Sequence, residues 1–515
     1  MKRRLLLAAP VLVLLALFVV TGIRGVDFGN HWDEVEWHMD PVRTMARTGL
    51  FLPRAYIYPS LSKWLALLPT LPKTVWVLLQ SGGDPAPAQE AMVAMVDAAD
   101  YLLTARKVFI VVSSLAIVWL YCAVLTLRRS IWEATLAAAC LGLSWEYAYH
   151  SRWLANDCIV TQFAALTLFL LALFHRTRKD HWLYLAAAAV GLGTGAKQPG
   201  VFLLMLVIVA SVLSLPLKHV WPQFKRLAVI GAVSFACFVA TTPGFLLEPF
   251  VFLANARLLS SVYGAGHGQY AATGPIQHIS WVFTYLGVEF LSPFHVVSIP
   301  LSLCAVLGLV AWWQKDRRFV LVMSVFPTVF LGLFCTKYVT MIARNYLQIT
   351  PIFALLVARG VATLFGYIQR VWLKRALGGA LALVALLQAL FLIRAGESIR
   401  HYDPELYARQ ALAYVADHPR ERFRISPQVL ALIDAQHLAL PANVLKGRGA
   451  DAIVYFGRAE AGNPYNPRTN NPWLTRAVFG PQEVNFNWYS SWAGQDHVVV
   501  MSAQHARASH VPLEM

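Results

Sequence analysis

Charge is scarce in this chain of 515 residues. Asp, Glu, Lys and Arg make up 14% of it and hydrophobic residues 58%, whereas soluble domains run near 25% charged. With a mean hydropathy of +0.54, that scarcity excludes a disordered chain, a fibre and an ordinary cytosolic enzyme. Acids are scarcer than bases, 27 against 43, for a net charge of +16. A nucleic-acid partner is not expected from this excess, because the bases sit in short clusters between apolar runs, where they write membrane topology. Cysteine is sparse too. Cys122, Cys140, Cys158, Cys237, Cys304 and Cys335 lie in or beside apolar runs without CxxC spacing, which excludes a disulfide framework or zinc site and leaves small core residues. Internal repeats and low-complexity segments are absent.

What is abundant is apolar sequence long enough to span about 30 Å. Met1-Lys2-Arg3-Arg4 precedes an uncharged run over 5–23. It is read as a retained first helix with a cytoplasmic N-terminus, since no small-residue cleavage site follows. Further runs near 108–127, 131–149, 158–174, 182–196, 198–217, 227–247, 290–314, 319–336, 345–366 and 376–393 bring the count to about eleven transmembrane helices. Basic clusters fall between alternate runs: Arg128-Arg129; Arg176, Arg178 and Lys179; Lys218, Lys225 and Arg226; Lys315, Arg317 and Arg318; Arg370, Lys374 and Arg375. Positive-inside logic puts these in the cytoplasm and the C-terminus outside. Residues 181–217 are two short spans turning at 195–200, or a re-entrant hairpin.

Two regions fall on the outer side: a loop over 24–100 and a C-terminal domain over 394–515. The latter carries strand-like runs at 452–456 and 497–501 and a loop-like stretch at 462–468, as in a small α/β or α+β domain. The expected fold class is mainly α: a membrane part over 1–393, then an extracytoplasmic domain.

The first outer loop has the densest ionisable segment, His31-Trp32-Asp33-Glu34-Val35-Glu36-Trp37-His38-Met39-Asp40. Crowded carboxylates raise one another's pKa when partly buried, which suits a general base; a solvated acidic loop is the plain alternative. Further on, Arg54-Ala55-Tyr56-Ile57-Tyr58-Pro59-Ser60-Leu61-Ser62-Lys63-Trp64 reads either as an interfacial aromatic belt with a snorkelling lysine or as a phosphate-facing lysine at the mouth of a lipid groove.

Taken in order, these motifs resemble the GT-C glycosyltransferases, polyprenyl-phosphate-sugar-dependent membrane enzymes that include protein O-mannosyltransferases and bacterial aminoarabinose transferases of lipid A. Asp33-Glu34 matches that family's acidic pair. Tyr58-Pro59-Ser60-Leu61-Ser62-Lys63 resembles its His-Pro-Pro-Leu-Gly-Lys segment, with Tyr for His and Ser for the second Pro. Leu103-Thr104-Ala105-Arg106 resembles the arginine opening the second helix, and Ser151-Arg152-Trp153-Leu154-Ala155-Asn156-Asp157 the Ser-Arg-x-x-x-x-Asp segment. Residues 191–197, ending in Lys197, resemble the Gly-x-x-x-x-x-Lys turn. Ala343-Arg344-Asn345-Tyr346-Leu347 resembles the late Arg-Tyr-Leu-x-x-x-Pro segment, with Asn345 inserted. The resemblance covers roughly 5–393, and the C-terminal domain resembles nothing we can name.

The resemblance implies sugar transfer from a polyprenyl-phosphate carrier to an extracytoplasmic hydroxyl of a glycolipid, glycan or protein, in the plasma (inner) membrane. Asp33 is expected as the base of a single, inverting displacement, with Glu34 positioning the acceptor or pairing with Arg106. Lys63, Arg106, Arg152, Lys197 and Arg344 are expected to hold the donor phosphate, a role for which charge-assisted hydrogen bonds are suited. Tyr56, Tyr58, Asp157, His267 and Tyr346 would line the acceptor or lipid groove, with Asp157 alternatively bracing Arg152. Residues 248–270 read as an outer loop, either a flexible lid built on its glycines and His267 or, the plainer alternative, a mobile surface loop with no chemical role. His31, Asp33, Glu36 and His38 are of types that suit a divalent cation, but related enzymes work without one, so no cofactor is expected. A transporter or flippase would carry charges near the bilayer midplane, and the spans are nearly free of them. A non-catalytic envelope assembly protein stays open, although such a protein needs no acidic crowding at Asp33-Glu34.

Overall fold

The structure, a computed structural model, describes residues 2–28, 32–215, 220–266, 271–399, 403–445, 449–458, 475–479 and 496–503. Every apolar run singled out above is helical over most of its described length. Among the described residues seven helices are long and apolar enough to cross a membrane: Tyr101–Arg128, Asn156–Thr177, Val220–Thr241, His295–Lys315, Arg317–Lys337, Ala343–Tyr367 and Val371–Glu397. Shorter apolar helices occupy Ala8–Arg24, Ile131–Gly142 and Gln198–Ser214, and another runs over His181–Ala196. The chain is a multi-pass, mainly helical membrane protein.

The short members have local causes. The run at 131–149 is cut because Ser144 caps a new helix, Trp145–His150, by accepting from the Tyr147 N–H, the usual role of an N-cap hydroxyl. Within 181–217 two helices, His181–Ala196 and Gln198–Ser214, turn at Lys197, whose backbone is extended at φ −152° and ψ 136°. This turn is held close to the neighbouring helix. A Cβ on Gly191 would lie 2.2 Å from the Ser234 carbonyl, and one on Gly195 would lie 2.1 Å from Thr241 Oγ1. Glycine alone permits that approach, as in small-xxx-small packing between membrane helices.

The two segments read as loops are largely helical. Asp40–Thr48, Leu61–Leu67, Leu71–Gln80 and Pro85–Val96 are the longest helices of the first. In the second, Pro249–Ala265 is a 17-residue helix rather than a loop, and Pro275–Thr284 lies further along. These helices are short or mixed in polarity, and several open on a proline in the first turn, where the missing N–H costs nothing.

The described residues fall into two compact units. One takes those of 1–26, 33–267 and 271–392; the other takes those among 27–32 and from Ile393 onward. The second contains a four-stranded sheet: β1 Phe423–Ile425, β2 Ala452–Arg458, β3 Thr475–Phe479 and β4 Asp496–Ser502, ordered β1-β2-β4-β3. β1 and β2 are parallel, joined through helix Pro427–Ala435, while β4 runs antiparallel to both its neighbours. Phe423, Val454, Val498 and Val500 share its core with Ala408, Ala411 and Val415 of helix Pro404–Asp417. The strand-like runs at 452–456 and 497–501 are thus paired strands. The stretch at 462–468 lies outside the described residues.

Candidate functional site

Asp33 and Glu34 sit on one helical turn, Trp32–Glu34, which continues through a π-helical turn at Val35–Met39. Neighbouring helix residues point about 100° apart, so the two acids have different surroundings. Glu34 is fully buried. Its Oε1 accepts from Arg106 Nε at 2.9 Å and from the Leu154 N–H at 3.1 Å, and its Oε2 accepts from Arg106 Nη2. Arg106 Nη1 donates to the Val26 carbonyl at 2.8 Å. Arg106, expected at the phosphate, is therefore spent on an internal bidentate brace, and Glu34 takes the pairing alternative.

Asp33 keeps 15% of its side chain exposed, and its Oδ2 accepts from Arg344 Nη2 at 2.6 Å. The Arg344 Nε lies 3.6 Å from Asp157 Oδ2, and its guanidinium lies 5.0 Å over the Trp153 ring. Asp157 Oδ1 accepts from Lys197 Nζ at 2.6 Å, which also donates to Asn345 Oδ1 at 2.7 Å. Asn345 Nδ2 in turn donates to the Tyr263 hydroxyl at 3.2 Å. Residues 33, 157, 197 and 344–345, far apart in the chain, thus form one continuous polar chain of two acids and two cations. Asp157 braces Lys197 and Arg344, not Arg152.

Tyr58 adjoins this chain. Its ring stacks on His38 at 5.5 Å and receives Lys197 Nζ at 5.7 Å. Burial, then the nearby Asp33 carboxylate, pushes its phenol well above the usual range, so the phenol stays protonated. Lys63 Nζ donates to the Tyr58 carbonyl and, at 3.3 Å, to the Pro59 carbonyl. It is fully buried with no carboxylate beside it among the described residues, and desolvation pushes its ammonium down to about 7. Burial likewise lowers His38 well below its ordinary value, helped by Lys63 and Arg344.

A cavity of about 560 Å³ opens beside this chain. Its wall is largely apolar, with Phe202, Leu259, Leu333 and Phe334, and Lys197, Asn345 and Tyr263 form its bonded polar patch. An apolar tail can lie there with its charged head against Lys197.

Other expected residues lie elsewhere. Arg152 is buried over the Trp145 ring at 4.9 Å, with no partner for Nε or Nη1 among the described residues, and burial lowers it to about 9. The Tyr56 hydroxyl donates to Glu248 at 2.5 Å, tying the first outer segment to the start of Pro249–Ala265. The Tyr346 hydroxyl meets His278 Nε2 at 2.5 Å inside an aromatic cluster with Phe330 and Phe334, not at a groove wall. His267 and His31 lie outside the described residues. Glu36 is exposed and His38 buried, and no three His, Cys, Asp or Glu side chains among the described residues converge as metal ligands. Sequence reasoning missed Trp153 and Tyr263. Trp153 lies within a quoted motif, but no sequence pattern points to Tyr263.

Residues 94–242 match the family model described as dolichyl-phosphate-mannose-protein mannosyltransferase, which bears out the GT-C resemblance over that stretch. No curated protein matches the chain. Among solved structures, ArnT from Cupriavidus metallidurans bound to undecaprenyl phosphate is similar at 14% identity and a TM-score of 0.45, over 97% of this chain and 99% of that one. The Saccharomyces cerevisiae protein O-mannosyltransferase Pmt1-Pmt2 complex bound to the sugar donor is 16% identical, TM-score 0.36, over 49% of this chain and 34% of that one. The Archaeoglobus fulgidus oligosaccharyltransferase tethered with an acceptor peptide is 13% identical, TM-score 0.39, over 85% and 60%. These low scores leave the residue roles to this chain's own geometry.

Proposed function

We propose that this protein is an integral membrane glycosyltransferase that moves a sugar from a polyprenyl-phosphate carrier to an extracytoplasmic hydroxyl by a single inverting displacement. The observation that carries the reading is Asp33. It is the one member of the acidic pair with an exposed edge, and Arg344 holds it at 2.6 Å in a polar chain that ends in the wall of an apolar cavity. In this reading Asp33 takes the proton of the acceptor hydroxyl as that oxygen attacks the anomeric carbon. The sugar–phosphate bond breaks on the opposite face, and its electron pair leaves on the carrier phosphate. Lys63 and Lys197 take up that charge, so no general acid is needed. Lys63 suits the role because its ammonium bonds two carbonyls and has no carboxylate beside it among the described residues, and an anion restores the charge that burial removes. The polyprenyl chain lies along Leu259, Leu333 and Phe334. Residues 1–393 form the catalytic membrane part, with 24–100 and the domain over 394–515 outside a plasma (inner) membrane and the N-terminus in the cytoplasm. The chemistry asks for no metal.

The test measures turnover of a radiolabelled polyprenyl-phosphate hexose or pentose by the purified protein, with envelope extract supplying the acceptor. Asp33→Asn keeps the shape and removes the base, so turnover should fall on the order of a hundredfold, the scale of general-base catalysis. Binding of donor lipid should change little. Wild-type turnover in a variant that binds donor normally would refute the assignment.

A further inference from the structure

We infer that His278 is a positioning residue that fixes Arg344 and Asn345 by tying down both ends of the chain segment that carries them; this rests on the reading of the site just given. Between helix Arg317–Lys337 and the 3-10 turn Ala343–Ile349 the backbone is extended, with Tyr338 at φ −120° and ψ 136° and Ile342 at φ −120° and ψ 117°. This arm is strapped at its middle. The Ala272 N–H donates to the Val339 carbonyl at 2.8 Å, and the Thr340 N–H donates to the Tyr263 carbonyl at 3.2 Å. Its two ends meet on one imidazole. His278 Nδ1 lies 2.8 Å from the Tyr338 carbonyl and Nε2 lies 2.5 Å from the Tyr346 hydroxyl.

Chemistry settles the direction of both bonds. A carbonyl only accepts, so Nδ1 carries the proton. In a neutral imidazole Nε2 is then the acceptor, and the Tyr346 hydroxyl donates to it. Burial favours that neutral form by lowering the imidazole below its ordinary value. One fully buried ring therefore clamps Tyr338 and Tyr346. Between them lie Arg344, which holds Asp33, and Asn345, which holds Lys197. Among the described residues the His278 ring bonds Tyr338 and Tyr346 and neither acid nor cation of the site, so its effect on transfer passes through the arm.

Two conservative variants test this. Tyr346→Phe keeps the aromatic packing and removes only the hydroxyl; His278→Phe removes both bonds. Each should lower kcat about tenfold and leave donor KM within about twofold, the scale of losing one buried hydrogen bond. The double variant should be no worse than either single, because both break the same clamp. In an Arg344→Ala/Asn345→Ala background, where both residues the clamp positions are gone, Tyr346→Phe should change kcat no further. Full, additive losses there, or wild-type kcat in both single variants, would overturn the inference. A readout independent of activity is the nitrogen NMR spectrum of histidine-labelled protein. A neutral imidazole protonated at Nδ1 should disappear in His278→Phe and shift in Tyr346→Phe. Absence of such a signal from the wild type overturns the clamp, whereas its presence in a protein with no transfer activity leaves the clamp standing and removes the glycosyltransferase reading.

Discussion

Breaking the Glu34–Arg106 brace is the perturbation that best separates a structural arginine from a phosphate-holding one. Glu34 and Arg106 side chains are 0% and 1% exposed. Glu34→Gln keeps the size and replaces one acceptor oxygen by an amide that faces the Arg106 donors, leaving a buried guanidinium without its counter-charge. Removing one partner of a buried pair costs about 3–5 kcal/mol, a large share of the 5–15 kcal/mol that typically holds a folded domain. Arg106→Ala should cost a similar amount by stranding the carboxylate. The double variant Glu34→Gln/Arg106→Gln leaves two neutral amides that can bond each other, and should regain most of the loss. Thermal unfolding in detergent can be followed with a thiol-reactive fluorophore, because Cys140, Cys158 and Cys335 are buried free thiols that label only on opening. The decisive comparison is donor binding by the double variant. A brace predicts a stable protein that still binds donor lipid. A double variant that is stable but has lost donor binding would refute the argument and return Arg106 to the phosphate.

Lys63 supplies a pH test. Its folded pKa of about 7 lies below the ordinary 10.5, so between these values the unfolded chain binds more protons and stability rises with pH. The melting temperature of wild type relative to Lys63→Met should climb across that window, and parallel curves would refute the burial argument; donor affinity should fall above about pH 7 as the ammonium is lost. Transfer should survive EDTA, and activity lost to the chelator and restored by Mg²⁺ or Mn²⁺ would show a required cation. A single cysteine at Ser81 in a cysteine-free background should react with an impermeant thiol reagent in intact cells; protection until lysis would overturn the sidedness.

Apolar run lengths and the alternation of basic clusters determined a polytopic helical protein, because burial in lipid requires backbone groups to pair within each segment. The order of short motifs likewise brought Asp33, Lys63, Asp157, Lys197 and Arg344 into view, since each lies at a helix end where charge is tolerable. The sequence could not say which of these touch. Asp33 and Glu34 are chemically alike and adjacent, and only the rotation of a helical turn sent one to Arg106 in a closed interior and the other to Arg344 with an exposed edge. Tyr346 belonged to a motif, yet it bonds a histidine 68 residues away. Tyr263 had no signal at all, because its role depends on helix Pro249–Ala265 passing Asn345. Side-chain type and spacing are local properties of the chain. Which cation neutralises which acid is decided by packing across hundreds of residues, and in a buried site the energy of each charge depends on that neighbour.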